Sequence, residues 1–180
     1  MNFRKWERNF SEILSRTKHF SLRHDRVVNP RNRSELDAYV LECADWVNIV
    51  ALTPQGEIVL VRQFRHGIGK TSLEIPGGTV NPGEAPELAA KRELLEETGY
   101  VPEELILIGS LDAQPALQNN RLHTFLALGS TVAAPPEPDE GEDISVEIHP
   151  VASVDHLVRS GEISHALVLS AFHWWNLWRG

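Results

Sequence analysis

The stretch RELLEETG, residues 92–99, contains three glutamates within five positions: Glu93, Glu96 and Glu97. At about 100° per residue of α-helix, these side chains fall within about 100° of one another around the helix axis. Like charges spaced three or four residues apart on a helix repel one another and lower its stability. The spacing alone is typical of a solvated acidic helix face, and it also suits a cation bound among the carboxylates.

The sequence around this stretch predicts a helix over residues 85–99. Pro86 is typical of a first helical turn, and Gly99 is typical of the residue that ends a helix. We expect Leu88 and Leu95, seven residues apart, to anchor the helix in the core on a side that the glutamates do not share. Carboxylate oxygens on a rigid helix face are the ligands that Mg²⁺ or Mn²⁺ prefers, with water and substrate phosphate completing the coordination.

The composition of the chain predicts a soluble protein with one main domain. The 180 residues are 42% apolar and include five tryptophans, which is enough to bury a sizeable core. A formal net charge of −8 argues against a nucleic-acid binder, whose surface is usually basic. Cys43 is the single cysteine, so no intrachain disulfide is possible and a cytoplasmic location is expected. The N-terminal residues do not resemble a signal peptide, and no apolar run is long enough for a membrane span.

Hydrophobic periodicity predicts a mixed α and β chain in which strands outnumber helices. The aromatic spacing in residues 1–16 favours a short helix, and alternation in residues 19–28 favours a half-buried strand. The acidic, proline-rich residues 134–143 predict a flexible loop. Further strands are expected within 35–53, 57–66, 72–75, 104–115, 121–130 and 144–151, and further helices within 153–161 and 163–178.

A longer pattern surrounds the three glutamates. From Gly78 to Tyr100 the chain reads G-x5-E-x7-R-E-L-x-E-E-x-G-Y. This pattern resembles the signature box of the Nudix hydrolases, in which the last position is usually a bulky apolar residue. Nine positions are constrained, so a chance match within 180 residues is negligible.

The resemblance implies an α/β fold, a Nudix-type α/β/α sandwich with a mixed sheet and an N-terminal β-rich arm. It implies that Glu93, Glu96 and Glu97 bind a divalent metal ion together with the carbonyl oxygen of Gly77. The expected ion is Mg²⁺, with Mn²⁺ as the alternative. The resemblance also implies that Arg92 orients the glutamates through charge-assisted hydrogen bonds and that Glu84 is a structural carboxylate behind them.

Two further segments resemble the branch of the family that hydrolyses ADP-ribose and other nucleoside diphosphate sugars. These are RQFR followed by LEIPGG in residues 62–78, and Pro115, fifteen residues past Tyr100. The branch implies an N-terminal arm, here residues 1–45, that joins two subunits, and a Nudix domain over residues 46–180. The segment DAQPALQNN departs from the commonest form of the branch, so GDP-mannose remains open beside ADP-ribose.

Hydrolysis of a diphosphate requires a base that accepts a proton from the attacking water. We expect this base in the acidic loop, at Glu140 first and Glu142 second, because a carboxylate on a mobile loop can close over the substrate. The alternative is that the loop is simply a solvated acidic segment.

Several polar and aromatic residues are candidates for substrate binding. Arg65 and Arg62 are potential guanidinium clamps for the diphosphate, although either would also be ordinary at a protein surface. Trp46 offers an aromatic surface for a nucleobase, with core packing as the alternative. The loop after Pro115 adds Gln118, Asn119 and Arg121.

The expected function is therefore metal-dependent hydrolysis of a nucleoside diphosphate sugar to a nucleoside monophosphate and a sugar phosphate. Two alternatives remain. One is hydrolysis of nucleoside triphosphates or dinucleoside polyphosphates, and the other is a non-catalytic Nudix sensor that binds nucleotide sugars. The sensor is disfavoured because a silent binder has no reason to keep three mutually repelling glutamates.

Overall fold

The computed structural model describes residues 4–138, 141 and 143–180, which divide into two compact units. The first unit contains the residues up to 44 together with 112–121. The second unit contains residues 45–111 and 122–180. The predicted base residues Glu140 and Glu142 lie outside the described residues.

An antiparallel sheet of β1 (Glu7–Arg16), β2 (Phe20–Val28) and β3 (Glu35–Cys43) forms the first unit, in that strand order. The strand predicted over residues 19–28 is confirmed, but the helix predicted over 1–16 is wrong. The register of β1 against β2 shifts twice, once between Arg8 and Phe10 and once between Ile13 and Ser15. Phe10 and Ile13 lie in a stretch of β1 without a register shift, so their helix-like spacing of three residues places them on opposite faces of the strand.

The interior of the first unit contains a charged group, the carboxylate of Asp25, which is 4% exposed. Ser11 Oγ donates to it at 2.6 Å, and the Nε of Arg23 donates to it at 3.0 Å. Burial, the largest single influence, raises the pKa of Asp25. The hydrogen bonds from Ser11 and Arg23 and the nearby guanidinium charges outweigh burial, so the pKa lies below its ordinary value.

The remaining strands of the described chain are β4 (Trp46–Leu52), β5 (Glu57–Arg65), β6 (Lys70–Glu74), β7 (Gly77–Thr79), β8 (Tyr100–Val101), β9 (Glu104–Asp112), β10 (Arg121–Leu128), β11 (Thr131–Val132) and β12 (Ile144–Pro150). Seven of them build a mixed sheet with the order β12-β5-β4-β10-β9, in which β6 pairs with β5 and β7 pairs with β4. β4 and β10 run parallel, whereas β5 runs antiparallel to β4, β6 and β12. The other two strands, β8 and β11, form a separate pair.

Helices pack on both faces of this sheet. They are α1 (Pro86–Thr98), α2 (Val154–Arg159), which follows a 3-10 turn over Val151–Ser153, and α3 (Ala166–Arg179). Successive residues of β4 point to opposite faces, so one apolar cluster joins the sheet to α1 and another joins it to α2 and α3. The predicted α/β/α sandwich with a mixed sheet is therefore confirmed for the second unit. No helix within the described ranges has the length and hydrophobicity that a membrane crossing requires.

The helix α1 begins and ends where the sequence predicts. Gly99 has a φ of 75° and its amide donates to the carbonyl of Leu95 at 2.8 Å, which closes the helix in the left-handed conformation that glycine favours. The two predicted anchors are wrong, because Leu88 is 58% exposed and Leu95 is 36% exposed. The buried side of α1 instead contains Ala89, Ala90, Glu93, Leu94, Glu97 and Thr98.

Candidate metal and catalytic site

The strand β7 lies directly against the glutamates of α1. The amide of Gly77 donates to the Glu97 carboxylate at 2.9 Å. A Cβ added to Gly78 would lie 2.4 Å from the carboxylate carbon of Glu93, closer than two such atoms can approach. Glycine at position 78 therefore allows the acidic face of α1 to pack against β7, whereas a Cβ on Gly77 would lie 2.3 Å from the carbonyl oxygen of Val47 in β4.

Arg92 is the centre of the acidic cluster. Its Nη1 donates to Glu93 at 2.7 Å and to Glu96 at 3.0 Å. Its Nε and Nη2 each donate to Glu84 at 3.0 Å, and Nη2 also donates to the carbonyl of Thr79 at 2.9 Å. We call Arg92, Glu84, Glu93 and Glu96 the Arg92 cluster. The hydrogen bonds from Arg92 hold the pKa of Glu84 below its ordinary value, and those carboxylates raise the pKa of Arg92.

The charge of the Arg92 cluster is not balanced. One guanidinium faces three carboxylates, and the Glu84 and Glu93 side chains are only 16% and 12% exposed. Glu97, one helical turn beyond Glu93, is 2% exposed and is held by a backbone amide. Water therefore screens this excess of negative charge poorly, and a bound cation would offset it.

The chemistry of these residues fits a hard divalent cation. Three of the predicted metal ligands, Glu93, Glu96 and Glu97, lie on one side of α1, and Gly77 lies beside Glu97. Carboxylate and carbonyl oxygens are the donors that Mg²⁺ and Mn²⁺ prefer. Within the described residues, no three acidic, histidine or cysteine side chains already enclose a metal position. In this structure the carboxylates hydrogen-bond to Arg92 and to the Gly77 amide, so a bound ion would share them with these groups.

Arg65 forms a fork-to-fork ion pair with a buried carboxylate. Its Nε donates to Glu74 at 2.9 Å and its Nη2 donates to the other Glu74 oxygen at 2.7 Å. The Glu74 side chain is 3% exposed, whereas Arg65 is 40% exposed. Burial, the largest single influence, raises the pKa of Glu74, but Arg65, together with His165 and Ser72, outweighs it and the pKa lies below its ordinary value.

Arg62, in β5, forms a second set of ion pairs beside the paired strand β12. Its Nε donates to Glu147 at 2.5 Å, and its Nη2 donates to Glu162 at 3.3 Å. The hydrogen bond from Arg62 is the main reason that the pKa of Glu147 is lowered. A diphosphate would have to compete with these two carboxylates for Arg62.

Trp46 is the first residue of β4 and is partly buried. Its register partner in β7 is Thr79, whose carbonyl accepts a hydrogen bond from Arg92. The indole is therefore attached to a backbone position next to the Arg92 cluster. Core packing remains the alternative for its side chain.

The three polar candidates after Pro115 belong to the first unit. Asn119 Oδ1 accepts the amide of Cys43 at 3.1 Å, and the backbone amide of Gln118 donates to Gln114 at 2.7 Å. Arg121 lies 4.0 Å from Asp112. Asn119 thus has a structural contact within its own unit.

Three residues with clear structural roles were missed from the sequence. Glu74 and Glu147 are the partners of the two candidate arginines, and Asn120 is 2% exposed and donates to the carbonyl of Ala44 at 2.9 Å. A glutamate between apolar residues, as in SLEIP, is a usable signal for a buried ion pair. No local signal identifies Glu147, because 85 positions separate it from Arg62.

Comparisons with known proteins extend these observations. Residues 15–172 match the NUDIX domain family. The chain is 32% identical over 170 residues to a Mycobacterium tuberculosis protein named ADP-ribose pyrophosphatase, covering 91% of this chain and 82% of that protein. It is 36% identical over 132 residues to a Bacillus subtilis protein of the same name, covering 73% of this chain and 71% of that protein. The crystal structure of an ADP compounds hydrolase superposes with a TM-score of 0.86 at 22% identity, over 99% of this chain and 96% of that one, which shows a common fold.

Proposed function

The chain belongs to the Nudix family, and from that premise we propose that it hydrolyses the diphosphate bond of nucleoside diphosphate sugars. Water attacks the diphosphate, and the products are a nucleoside monophosphate and a sugar phosphate. ADP-ribose is the first substrate we propose and GDP-mannose is the second. The names of the two bacterial relatives support ADP-ribose.

The observation that supports this function most directly is the Arg92 cluster. Arg92 fixes Glu93 and Glu96 on a helix whose buried side also contains Glu97. Rigid, incompletely neutralised carboxylates suit a reaction in which metal ions must be positioned against a phosphate. Arg92 acts on the reaction through the orientation of these side chains.

Nudix hydrolases generally need a divalent metal ion, and we assign it to Glu93, Glu96, Glu97 and the carbonyl of Gly77. Mg²⁺ is the ion we propose, with Mn²⁺ as the alternative. When bound, the ion would neutralise negative charge on the non-bridging phosphate oxygens. The chain's own contribution is to hold the carboxylates through Arg92 and the Gly77 amide.

We assign the base to the acidic loop, at Glu140 first and Glu142 second. A Glu140→Gln variant that keeps full activity while Glu142→Gln loses it would move the assignment to Glu142. If both variants keep full activity, the base lies elsewhere.

We assign contacts with the diphosphate to Arg65 first and to Arg62 second. The pair with Glu74 fixes the direction of the Arg65 guanidinium, which remains 40% exposed to a ligand. Arg62 is more strongly engaged, since it pairs with two carboxylates. Trp46 is proposed for the nucleobase, and Gln118, Asn119 and Arg121 for further polar contacts.

The arm is proposed to join two copies of the chain in the cytoplasm. One face of its sheet exposes Phe10 and Tyr39 by 45% and 51%. These side chains pack on His24, with ring centroids 5.9 Å and 5.1 Å away, and form a continuous aromatic surface. Sedimentation should give the mass of a dimer, and a monomer at all accessible concentrations would contradict this proposal.

The experiment that tests the function is a hydrolysis panel with Mg²⁺ present or chelated. The substrates are ADP-ribose, GDP-mannose, a nucleoside triphosphate and a dinucleoside polyphosphate, and the products are identified by chromatography. We expect metal-dependent cleavage of the two nucleotide sugars. Cleavage of the triphosphate alone would contradict the substrate class, and binding without cleavage would favour a sensor.

A further inference from the structure

His24 lies in the middle of the three-stranded sheet of the arm, on the same face as Phe10 and Tyr39. It belongs to β2, the central strand, where its register partners are Glu12 in β1 and Tyr39 in β3. The imidazole stacks on the Tyr39 ring and meets the Phe10 ring edge-on, and the His24 side chain is only 14% exposed. One side chain therefore contacts both outer strands of this sheet.

Both nitrogens of the His24 imidazole face carboxylates. Nε2 lies 2.7 Å from Asp37 Oδ1 in β3, and Nδ1 lies 3.4 Å from Glu12 Oε1 in β1. A neutral imidazole has one N–H and can donate to only one of these carboxylates, whereas an imidazolium donates to both. The geometry therefore favours the protonated ring, and stacking on Tyr39 favours a cation further. The hydrogen bonds with Asp37 and Glu12 outweigh the effect of burial and raise the pKa of His24 above its ordinary value of 6.5.

The charges around His24 balance only when its ring is protonated. Among the described residues, the titratable groups that contact the ring are Glu12 from β1 and Asp37 and Tyr39 from β3. Arg26, on the same strand as His24, lies 3.9 Å from Asp37. With the ring protonated, two cations meet two carboxylates. Loss of the proton leaves one guanidinium for both carboxylates, so repulsion between them is no longer offset.

We propose that His24 makes the arm pH-sensitive: as an imidazolium it holds β1 and β3 against β2, and when it loses its proton it holds them less tightly. The stabilisation is complete below the pKa of an unfolded histidine and is lost as the pH rises through the higher, folded pKa. Glu12 and Asp37 are 49% and 54% exposed, so each ion pair is weak and its loss loosens the arm without unfolding it. All these contacts lie within one chain, so the effect depends neither on the reaction assigned to the Arg92 cluster nor on dimerisation.

The test is hydrogen exchange of the full chain, measured by mass spectrometry on peptides that cover β1 and β3, in the wild type and in His24→Gln. These peptides have the same sequence in both proteins, so a comparison at each pH cancels the direct effect of pH on exchange. At about pH 5.5 we expect about threefold more protection in the wild type than in His24→Gln, the scale of a partly exposed ion pair. This excess should be largely lost by about pH 9, where the ring is neutral.

The matched control is His19→Gln, which changes an exposed histidine in the turn between β1 and β2 and should be protected like the wild type at every pH. Nuclear magnetic resonance titration of the His24 ring signal, assigned by its absence in His24→Gln, supplies a second measurement. Asp37→Asn should lower the His24 pKa more than Glu12→Gln does, because Asp37 is the nearer carboxylate. An excess of protection that is the same at all pH values, or an equal loss in His19→Gln, would overturn the proposal. A His24 pKa at or below 6.5 in the wild type would overturn it as well.

Discussion

Two clusters of arginines and carboxylates in this protein have opposite charge balances. In the first unit, Asp25 pairs with Arg8 and Arg23, and Arg23 also pairs with Glu42. Two guanidiniums thus meet two carboxylates, and we call these four residues the Asp25 cluster. The Arg92 cluster has one guanidinium for three carboxylates.

The number of carboxylates per guanidinium distinguishes a structural ion-pair network from a candidate cation site. A balanced cluster supplies its own counter-charges, so its contribution is to hold β1, β2 and β3 together. A partly buried helix face with more carboxylates than guanidinium groups in contact with them retains repulsion that an added cation would offset. The number of acidic residues is therefore less informative than the ratio of carboxylates to the cations that contact them.

The largest expected effect is on activity. Glu93→Gln should reduce kcat/KM for ADP-ribose by roughly a thousandfold, because the amide keeps the size of the side chain but is a poor ligand for a divalent ion. Metal binding, measured by calorimetry, should weaken in parallel, while circular dichroism should show an unchanged fold.

The matched control for this prediction is Glu87→Gln, on the same helix. Glu87 is exposed and pairs with Lys91 at 2.7 Å, so its loss should change kcat/KM by less than about twofold. Full activity of Glu93→Gln would contradict the metal assignment, whatever the behaviour of the control.

The second effect is on stability and its dependence on metal. Arg92→Gln removes the guanidinium that contacts Glu84, Glu93 and Glu96, and we expect it to lower the free energy of unfolding by about 3 kcal/mol without metal. Saturating Mg²⁺ should recover part of this loss, because the ion replaces part of the missing positive charge. Chemical denaturation with Mg²⁺ present and with chelator measures both values.

Asp25→Asn provides the comparison from the balanced cluster. It leaves Arg8 and Arg23 without their shared carboxylate, and we expect a loss of about 2 kcal/mol. Mg²⁺ should not change this loss. If Mg²⁺ restores Asp25→Asn as well as it restores Arg92→Gln, the distinction between the two clusters is wrong.

The features that the sequence predicted well are local ones. The limits of α1 follow from Pro86 and Gly99. Glu93, Glu96 and Glu97 lie on one side of the helix because residues three or four positions apart share a helix face. The mixed α and β pattern follows from periodicities within single elements. Neither prediction requires knowledge of what each element packs against.

The errors concern contacts between distant residues. Leu88 and Leu95 are exposed because α1 turns Ala89, Ala90 and two glutamates towards the sheet, and helical spacing alone cannot distinguish which stripe is buried. Pairing between β1 and β2, with its two register shifts, determines a strand where local spacing favours a helix. The partners of Arg62, at residues 147 and 162, depend on the sheet order in the same way.

The smallest effect concerns the pair of Arg65 and Glu74, in which one cation meets one carboxylate. The pKa of Glu74 is lowered on folding, so its ionised form stabilises the protein above the pKa of an unfolded glutamate, about 4.3. This contribution is lost as the pH falls through the lower, folded pKa. Between about pH 6 and pH 3, the stability difference between the wild type and Glu74→Gln should therefore shrink by about 1 kcal/mol.

Arg65→Gln sharpens this prediction, because it removes the guanidinium and leaves a carboxylate that is only 3% exposed. Burial then dominates and raises the pKa of Glu74, so protonation stabilises the folded state and the sign of the effect reverses. The deficit of Arg65→Gln relative to the wild type should be largest at about pH 6 and smallest at about pH 3. A deficit that grows on acidification would mean that Arg65 does not hold Glu74 in its ionised form.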